Sequence, residues 1–464
     1  MNFPIRSIIW SVVACLATLT LHAEIPEDFE KAFEERCLSV VAVEFFIQNE
    51  IDRTPSQSMG LVLDAEGHIL LLDGAIPGWI PPERFKNFKV KRLGEDDDGW
   101  DATYLGQNFV SGWHYLQVEE AARKELTPIT TFGHASVKTG SFVWGIAVMG
   151  DSWDYTPYFL SARISAQEPL PWLVGFSDRP IGSPGSLAFD AEGRFVGWMG
   201  PPTTDEKIIY MNGRKYAAAV QLTRESNAFM TADVVLKYAP QIPTTPSGDK
   251  RPWLGVSGMQ ALDREVAEIM GLSDQGALSV SDVIEASPAA QAGLKSRDIV
   301  VGLNGKKLPK FSPDFVTVSW FEKEMLETPI GGKVVLDIVS GNDGKQVEIV
   351  IAEQPLALRD AKREYFDQLG MSARQFTLAD ALAKRELKSD IDAAVVDFIK
   401  PNSPVQSAEL QSGDWIREVD GQPVDSYEAA ITALQTVDAD PSREEFVLLV
   451  ERNNETKVLR AKLK

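Results

Sequence analysis

Cysteine, histidine and positive charge are all scarce in this chain. It has two cysteines and four histidines in 464 residues. Cys15 lies in the first apolar stretch, so if that stretch is removed only Cys37 remains and no internal disulfide can form. His68, His114 and His134 are the only histidines beyond it. Lys and Arg number 46 against 67 Asp and Glu, a formal charge of −21. That balance excludes the basic footprint of a nucleic-acid binder and argues against docking on anionic lipid. No cofactor is implied. Glu95-Asp96-Asp97-Asp98 is the densest acidic run; it reads as a solvated turn, with a metal site as the rival reading.

Large cores are well supplied. Hydrophobic residues make up 44% of the chain, with 11 tryptophans, and the length suits roughly three domains of about 150 residues. Residues 1–23 read as a secretory segment: Arg6 in the n-region, an apolar run from Ile8 to Leu21, and Leu21-His22-Ala23 at the cleavage site. The run is short for a membrane span. Val12-Val13-Ala14-Cys15 offers a lipoprotein box as the alternative. Either reading predicts export to the periplasm or envelope, with no integral span after processing.

Residues 25–36 predict a short helix with Phe29 and Phe33 on one face. From Leu38 the chain turns to short β-rich segments: Leu38–Phe46, Gly60–Leu63 and His68–Leu72 about the turn Asp64-Ala65-Glu66-Gly67, then Ala102–Leu105, Tyr115–Val118, Phe142–Val148, Tyr158–Ser165 and Arg194–Trp198. Many short strands over one stretch point to a pair of β-barrels or a sandwich. Arg224–Tyr238 predicts a helix, and Ala239–Lys250, rich in Pro, Thr, Ser and Gly, a linker.

A repeat follows. Ser287-Pro288-Ala289 leads to Asp298 and on to Asn304-Gly305; Ser403-Pro404-Val405 leads, at the same interval of eleven residues, to Asp414 and on to Asp420-Gly421. A capped helix is expected after each copy, with Ser312 before Pro313 in the first and an Asp425/Glu428 capping box in the second. Two copies suit tandem domains better than a solenoid.

These stretches resemble the PDZ domains of HtrA proteins, most closely over residues 251–355 and more weakly over 360–464. The resemblance implies an extended peptide added to a sheet edge beside a helix, its terminal carboxylate held by the N–H groups of a tight loop. In the first copy that loop matches Trp253-Leu254-Gly255-Val256, where Gly255 permits close backbone approach; in the second the counterpart is Leu369-Gly370-Met371. Phe321 and Met325, one turn apart, either line the first groove or pack in the core. The second copy departs from the family at Ala408-Glu409-Leu410, where Ala-Gly-Leu is usual.

Upstream, residues 35–238 resemble the trypsin-like protease domain of the same family. Gly60 to Leu70 is similar to the hairpin before the catalytic histidine, Val143-Trp144-Gly145-Ile146-Ala147 to a later barrel strand, and Gly193-Arg194-Phe195-Val196-Gly197 to the strand after the nucleophile loop. The family's histidine, aspartate and serine then fall on Ala75, Gly112 and Pro184. A triad needs a hydroxyl, an imidazole and a carboxylate. Proline supplies neither a hydroxyl nor the backbone N–H of an oxyanion hole, and one such donor is worth about 2.7–4 kcal/mol. Ser183, Ser186, His68 and His114 are the remaining candidates for a relocated site.

The expected architecture is therefore mainly β: a signal segment (1–23), a degenerate trypsin-like double barrel (24–238), a linker (239–250) and two small α+β PDZ domains (251–355 and 360–464). The expected protein is a non-enzymatic pseudoprotease binding peptide segments or C-termini of exported proteins, as chaperone, adaptor or regulatory subunit. The resemblance implies a homotrimer, with Phe29 and Phe33 either contributing to its interface or packing on their own barrel. An active endopeptidase with a relocated site, and an envelope anchor, are the alternatives.

Overall fold

A computed structural model of the chain describes residues 29–200, 225–341, 343–385 and 391–463. The predicted secretory segment and Cys15 lie outside these residues. Among the described residues no helix is long and apolar enough to cross a membrane.

Helix α1 (Phe29–Cys37) leads into a first closed barrel of six strands: β1 (Val40–Gln48), β2 (Arg53–Val62), β3 (His68–Leu71), β4 (Phe85–Arg92), β5 (Trp100–Gln107) and β6 (His114–Val118), in the order β1-β2-β3-β6-β5-β4. A second closed barrel follows: β7 (Phe142–Val148), β8 (Pro157–Pro169), β9 (Leu173–Ser177), β10 (Leu187–Phe189), β11 (Phe195–Met199) and β12 (Ala228–Thr231), ordered β10-β11-β12-β9-β8-β7. Closure leaves neither sheet an edge. The two barrels share one apolar interface built on Trp113, Trp144, Trp198, Tyr115 and Phe189, all buried. Helix α2 (Ala232–Tyr238) seals it, with Tyr238 stacked on Trp172 at 4.7 Å.

The mainly β architecture expected from the sequence, double barrel then two small α+β units, is what the chain adopts. Three local expectations are corrected. Within its described part the stretch expected as one helix, Arg224–Tyr238, is divided: Ala228–Thr231 closes the second barrel and Ala232–Tyr238 is helical. The helix after the first repeat begins at Val316 with no side-chain cap, so Ser312 caps nothing. In the second repeat the cap is Ser426, whose hydroxyl accepts the Ala429 N–H at 3.2 Å, one residue beyond Asp425. Phe29 and Phe33 pack on their own second barrel, against Trp144 and Phe159.

The two repeat units are built alike. Each carries an antiparallel sheet and a twelve-residue helix, Val316–Glu327 in the first and Tyr427–Asp438 in the second. The repeated residues serve the backbone. Ser287 and Ser403 cap short helices by accepting the N–H of Ala290 and Gln406. Buried Asp298 and Asp414 accept the N–H of Lys295 and Gln411, each at 2.9 Å. Asn304 and Asp420, both at positive φ, accept the N–H of Val335 and Val447, again at 2.9 Å. Short polar side chains at these corners satisfy buried donors that would otherwise carry a desolvation cost.

Candidate functional site

Between the barrels, the three stretches named in the sequence come close together. The 182–187 turn leaves the second barrel and meets β2 of the first: a Cβ on Gly185 would stand 2.7 Å from the Met59 carbonyl oxygen. Trp198 Nε1 donates to the Gly185 carbonyl at 2.9 Å, and Trp113, next to Gly112, packs edge-on against Trp198 with ring centroids 5.2 Å apart. The loop before Ala75 reaches the same corner. A Cβ on Gly112 would stand 2.7 Å from Cγ of Asp73.

No nucleophile, base or acid is supplied by the side chains at 75, 112 and 184. Pro184 is half-exposed at the crown of its turn. Ser183 and Ser186 beside it are buried and engaged. Ser183 Oγ accepts the Val148 N–H at 2.9 Å; Ser186 Oγ lies 2.5 Å from the Ile146 carbonyl and 2.7 Å from that of Ser183. The amides around the turn are also used: Ser183 N–H donates to Ile146, Gly185 N–H to Met199 and Ser186 N–H to Ser183.

His114 and His68 have partners of their own elsewhere. His114 is buried inside the first barrel, its Nδ1 2.9 Å from Tyr104 Oη. Burial, reinforced by the nearby Arg359 guanidinium, lowers its pKa to about 3. His68 Nδ1 pairs with Asp64 at 2.7 Å in the hairpin turn. Asp64, Glu66 and His68 are the one cluster with metal-ligand spacing among the described residues. The Asp64 carboxylate is already committed there, accepting also from the backbone N–H groups of Glu66 and His68. Glu95–Asp98 is an exposed loop, where Asp97 accepts the Gly99 N–H.

Sequence reasoning missed the acid that does stand here. Asp73 fills the space beside Gly112. Partial burial raises its pKa, while the Gly74 N–H and Arg251 pull it back. The signal was in the chain two residues before Ala75, but only the tertiary approach of the two loops gives it meaning. Cys37 takes no part: burial, then Glu34, pushes its pKa up to about 12.

The second candidate site lies in the repeat units. Trp253 and Val256 are half-buried and Leu254 is buried. Gly255 sits at φ 91°, and a Cβ there would stand 2.1 Å from Ser287 Cβ, so the loop and the helix cap are pressed together. Gly255 offers its carbonyl to the Ile284 N–H and the Ser287 hydroxyl. The N–H groups of Leu254 and Gly255 donate to no acceptor among the described residues. Among the described residues, strand Val256–Ala261 is the terminal strand of its sheet, paired only with Leu278–Val283. Phe321 and Met325 are buried in the core of this unit with Leu254, Leu278 and Val280. In the second unit Leu369, Gly370 and Met371 are buried, and a Cβ on Gly370 would meet Ser403 Cβ at 2.5 Å, the same close approach as in the first.

No family model matches the chain. Among curated proteins it is 30% identical over 200 residues to a probable periplasmic serine endoprotease, DegP-like, of Chlamydia trachomatis, covering 43% of this chain and 37% of that protein. It is 29% identical over 175 residues to the periplasmic serine endoprotease DegP of Salmonella typhimurium, covering 38% and 33%. The matched part thus spans about a third of these relatives' length. Among solved structures it shares a fold with the HtrA-type protease AlgW bound to a decapeptide, with a TM-score of 0.50 and 16% identity over 70% of this chain and 99% of that one. These relatives correct one expectation. They are named serine endoproteases, so the reading of the chain as no enzyme, made from three side chains, is overturned by the activity its relatives are named for.

Proposed function

We propose, on the premise that this chain is related to the HtrA-type (DegP) trypsin-like serine proteases, that its first repeat unit is a PDZ-type module capturing the C-terminal end of an extended polypeptide. One observation carries the reading: an open sheet edge, Val256–Ala261, begins at a loop whose Leu254 and Gly255 amides donate to no described acceptor. A peptide laid antiparallel along that edge continues the hydrogen-bonded ladder. Its terminal carboxylate arrives at the two amides, which a positive-φ glycine holds in a concave turn. Phe321 and Met325 support the neighbouring helix from the core. The clients are exported proteins, met in the periplasm or envelope, and the roles that fit are chaperone-like holding, adaptor and regulatory subunit. Assembly as a homotrimer is part of the same proposal.

The test uses fluorescein-labelled decapeptides ending in Ala, Val, Leu or Phe, each as free acid and as C-terminal amide. Binding of at least one acid, weakened tenfold or more on amidation, supports carboxylate capture. Equal affinity for acid and amide moves the site elsewhere. Light scattering behind a sizing column reads the assembly; a monomer would end the trimer reading.

A second reading, endoproteolysis of envelope proteins, is favoured by the names of the relatives. It would have to draw on groups other than the side chains at 75, 112 and 184. Digestion of casein by the purified chain, unaffected by inhibitors of contaminating proteases, supports it; loss of that activity in Ser183→Ala or Ser186→Ala locates the nucleophile.

A further inference from the structure

The two repeat units differ at the place where a peptide would bind. In the first, the short strand Pro252–Trp253 ahead of the loop pairs with Ala352–Glu353, and among the described residues the edge of Val256–Ala261 is bare. In the second, strand Arg363–Phe366 folds back antiparallel onto Met371–Gln375, with Arg363 opposite Arg374, Glu364 opposite Ala373, Tyr365 opposite Ser372 and Phe366 opposite Met371. The edge that would accept a peptide is thus already occupied.

The occupant has the polarity of a ligand. A captured peptide runs antiparallel to the strand that receives it and ends at the carboxylate loop; residues 363–366 run the same way and end at Gln368-Leu369-Gly370. They also follow the neighbouring helix. Lys362 Nζ lies 3.5 Å from Glu428 in its first turn, and Gln435 Nε2 lies 3.4 Å from Glu364 near its end. Phe366 is buried in the unit's core.

The loop amides are filled as well. Gln368 N–H and Leu369 N–H both donate to Asp438 Oδ1, at 2.9 and 3.1 Å, and Gly370 N–H donates to the Phe366 carbonyl at 2.8 Å. Asp438 is the last residue of its helix, where the macrodipole disfavours an anion, and the two amides compensate it. Glu327, the last residue of the first unit's helix, has other partners instead: it accepts from Tyr238 Oη and from Lys323 Nζ at 3.2 Å.

We infer that the second repeat unit is a PDZ-type site closed in cis, with strand Arg363–Phe366 in place of the peptide backbone and the Asp438 carboxylate in place of its terminus, so that only the first unit takes up C-terminal segments. The inference rests on the PDZ-type reading proposed above. A decapeptide can enter the second unit only by displacing this strand, which is tied down by the Arg363–Asp397–Arg374 network, at 3.1 and 3.0 Å, and by Arg363 on the Leu358 and Ala361 carbonyls.

Hydrogen exchange on the full chain tests the closure without any ligand. The Gln368 and Leu369 amides should be protected; Asp438→Ala should speed their exchange at least tenfold, and Asp438→Asn, which keeps an acceptor oxygen, should restore protection. Wild-type loop amides exchanging as fast as an open turn would overturn the inference. With a fluorescein-labelled decapeptide ending in Val, the binding footprint on the wild-type chain should cover 254–261 and leave 369–375 unchanged. A footprint at 369–375 would overturn it. Because the exchange experiment needs no peptide, it decides the closure even if the first unit binds nothing, an outcome that counts against the capture reading alone.

Discussion

At the scale of single residues, Glu409 shows how a departure from a motif can leave geometry intact. It stands where the family has glycine, and it adopts φ 65°, beside φ 84° for Gly293 in the first unit. The left-handed turn is kept by a residue that pays for it sterically, at about 1–2 kcal/mol. Glu409→Gly is expected to raise the stability of the second unit by about 1 kcal/mol, read as a higher denaturant midpoint with an unchanged slope. Ser186 is the opposite case: its buried hydroxyl serves two carbonyls, and Ser186→Ala should cost about 1–2 kcal/mol by the same measurement. His114 gives a pH dependence. Its folded pKa of about 3 lies below the ordinary 6.5, so the unfolded chain takes the proton first. Its effect is nil above pH 6.5 and destabilising as pH falls towards about 3, by about 1.4 kcal/mol per unit. Melting curves of wild type and His114→Leu should diverge in slope against pH across that window; parallel curves would refute the assignment.

At the scale of elements, legibility followed how local the cause was. The hairpin around Asp64–Gly67 and the strand Phe142–Val148 were readable because alternation and turn chemistry sit within a few residues. Phe85–Arg92 and Leu173–Ser177 were not: their sequences carry charged or glycine positions, and they close their barrels by pairing with Val41–Ile47 and Ala228–Met230, far along the chain. Helix α1 was readable as a helix, but the surface it packs on was not. Phe29 and Phe33 are half-buried on Trp144 and Phe159, and nothing in the helix's own sequence names that surface. Replacing both by Ala should release the helix, seen as loss of amide protection over residues 29–37, with the barrel strands still protected.

At the scale of the whole molecule, the segment read as a linker is fastened down. Asn108 Nδ2 donates to the Gln241 carbonyl at 3.0 Å. Arg359, between the two repeat units, donates to the Ser247 carbonyl at 2.9 Å and to Gln107 Oε1 at 3.0 Å, and Gln107 in turn donates to the Gly112 carbonyl at 2.9 Å. A continuous set of hydrogen bonds therefore joins the segment between the repeat units to the corner between the barrels. Glu50 and Arg84 of the first barrel add a contact to Ser372 and Asp397. Arg359→Ala should loosen this docking by about 2 kcal/mol, and limited proteolysis within 239–250 should quicken at least tenfold; an unchanged rate would show that other contacts suffice.

The sequence by itself determined the mainly β class and the order of barrels and repeats, because each depends on side-chain type at short spacing. Tertiary structure alone decided which sheet edge stays open, which carboxylate stands beside Gly112, and where the loop amides of the second unit are satisfied. Those outcomes turn on backbone pairing and contacts between segments, most of them distant in the chain. Pro252-Trp253 and Arg363–Phe366 both precede a glycine loop, and only the strand that each finds as a partner separates an exposed edge from a covered one.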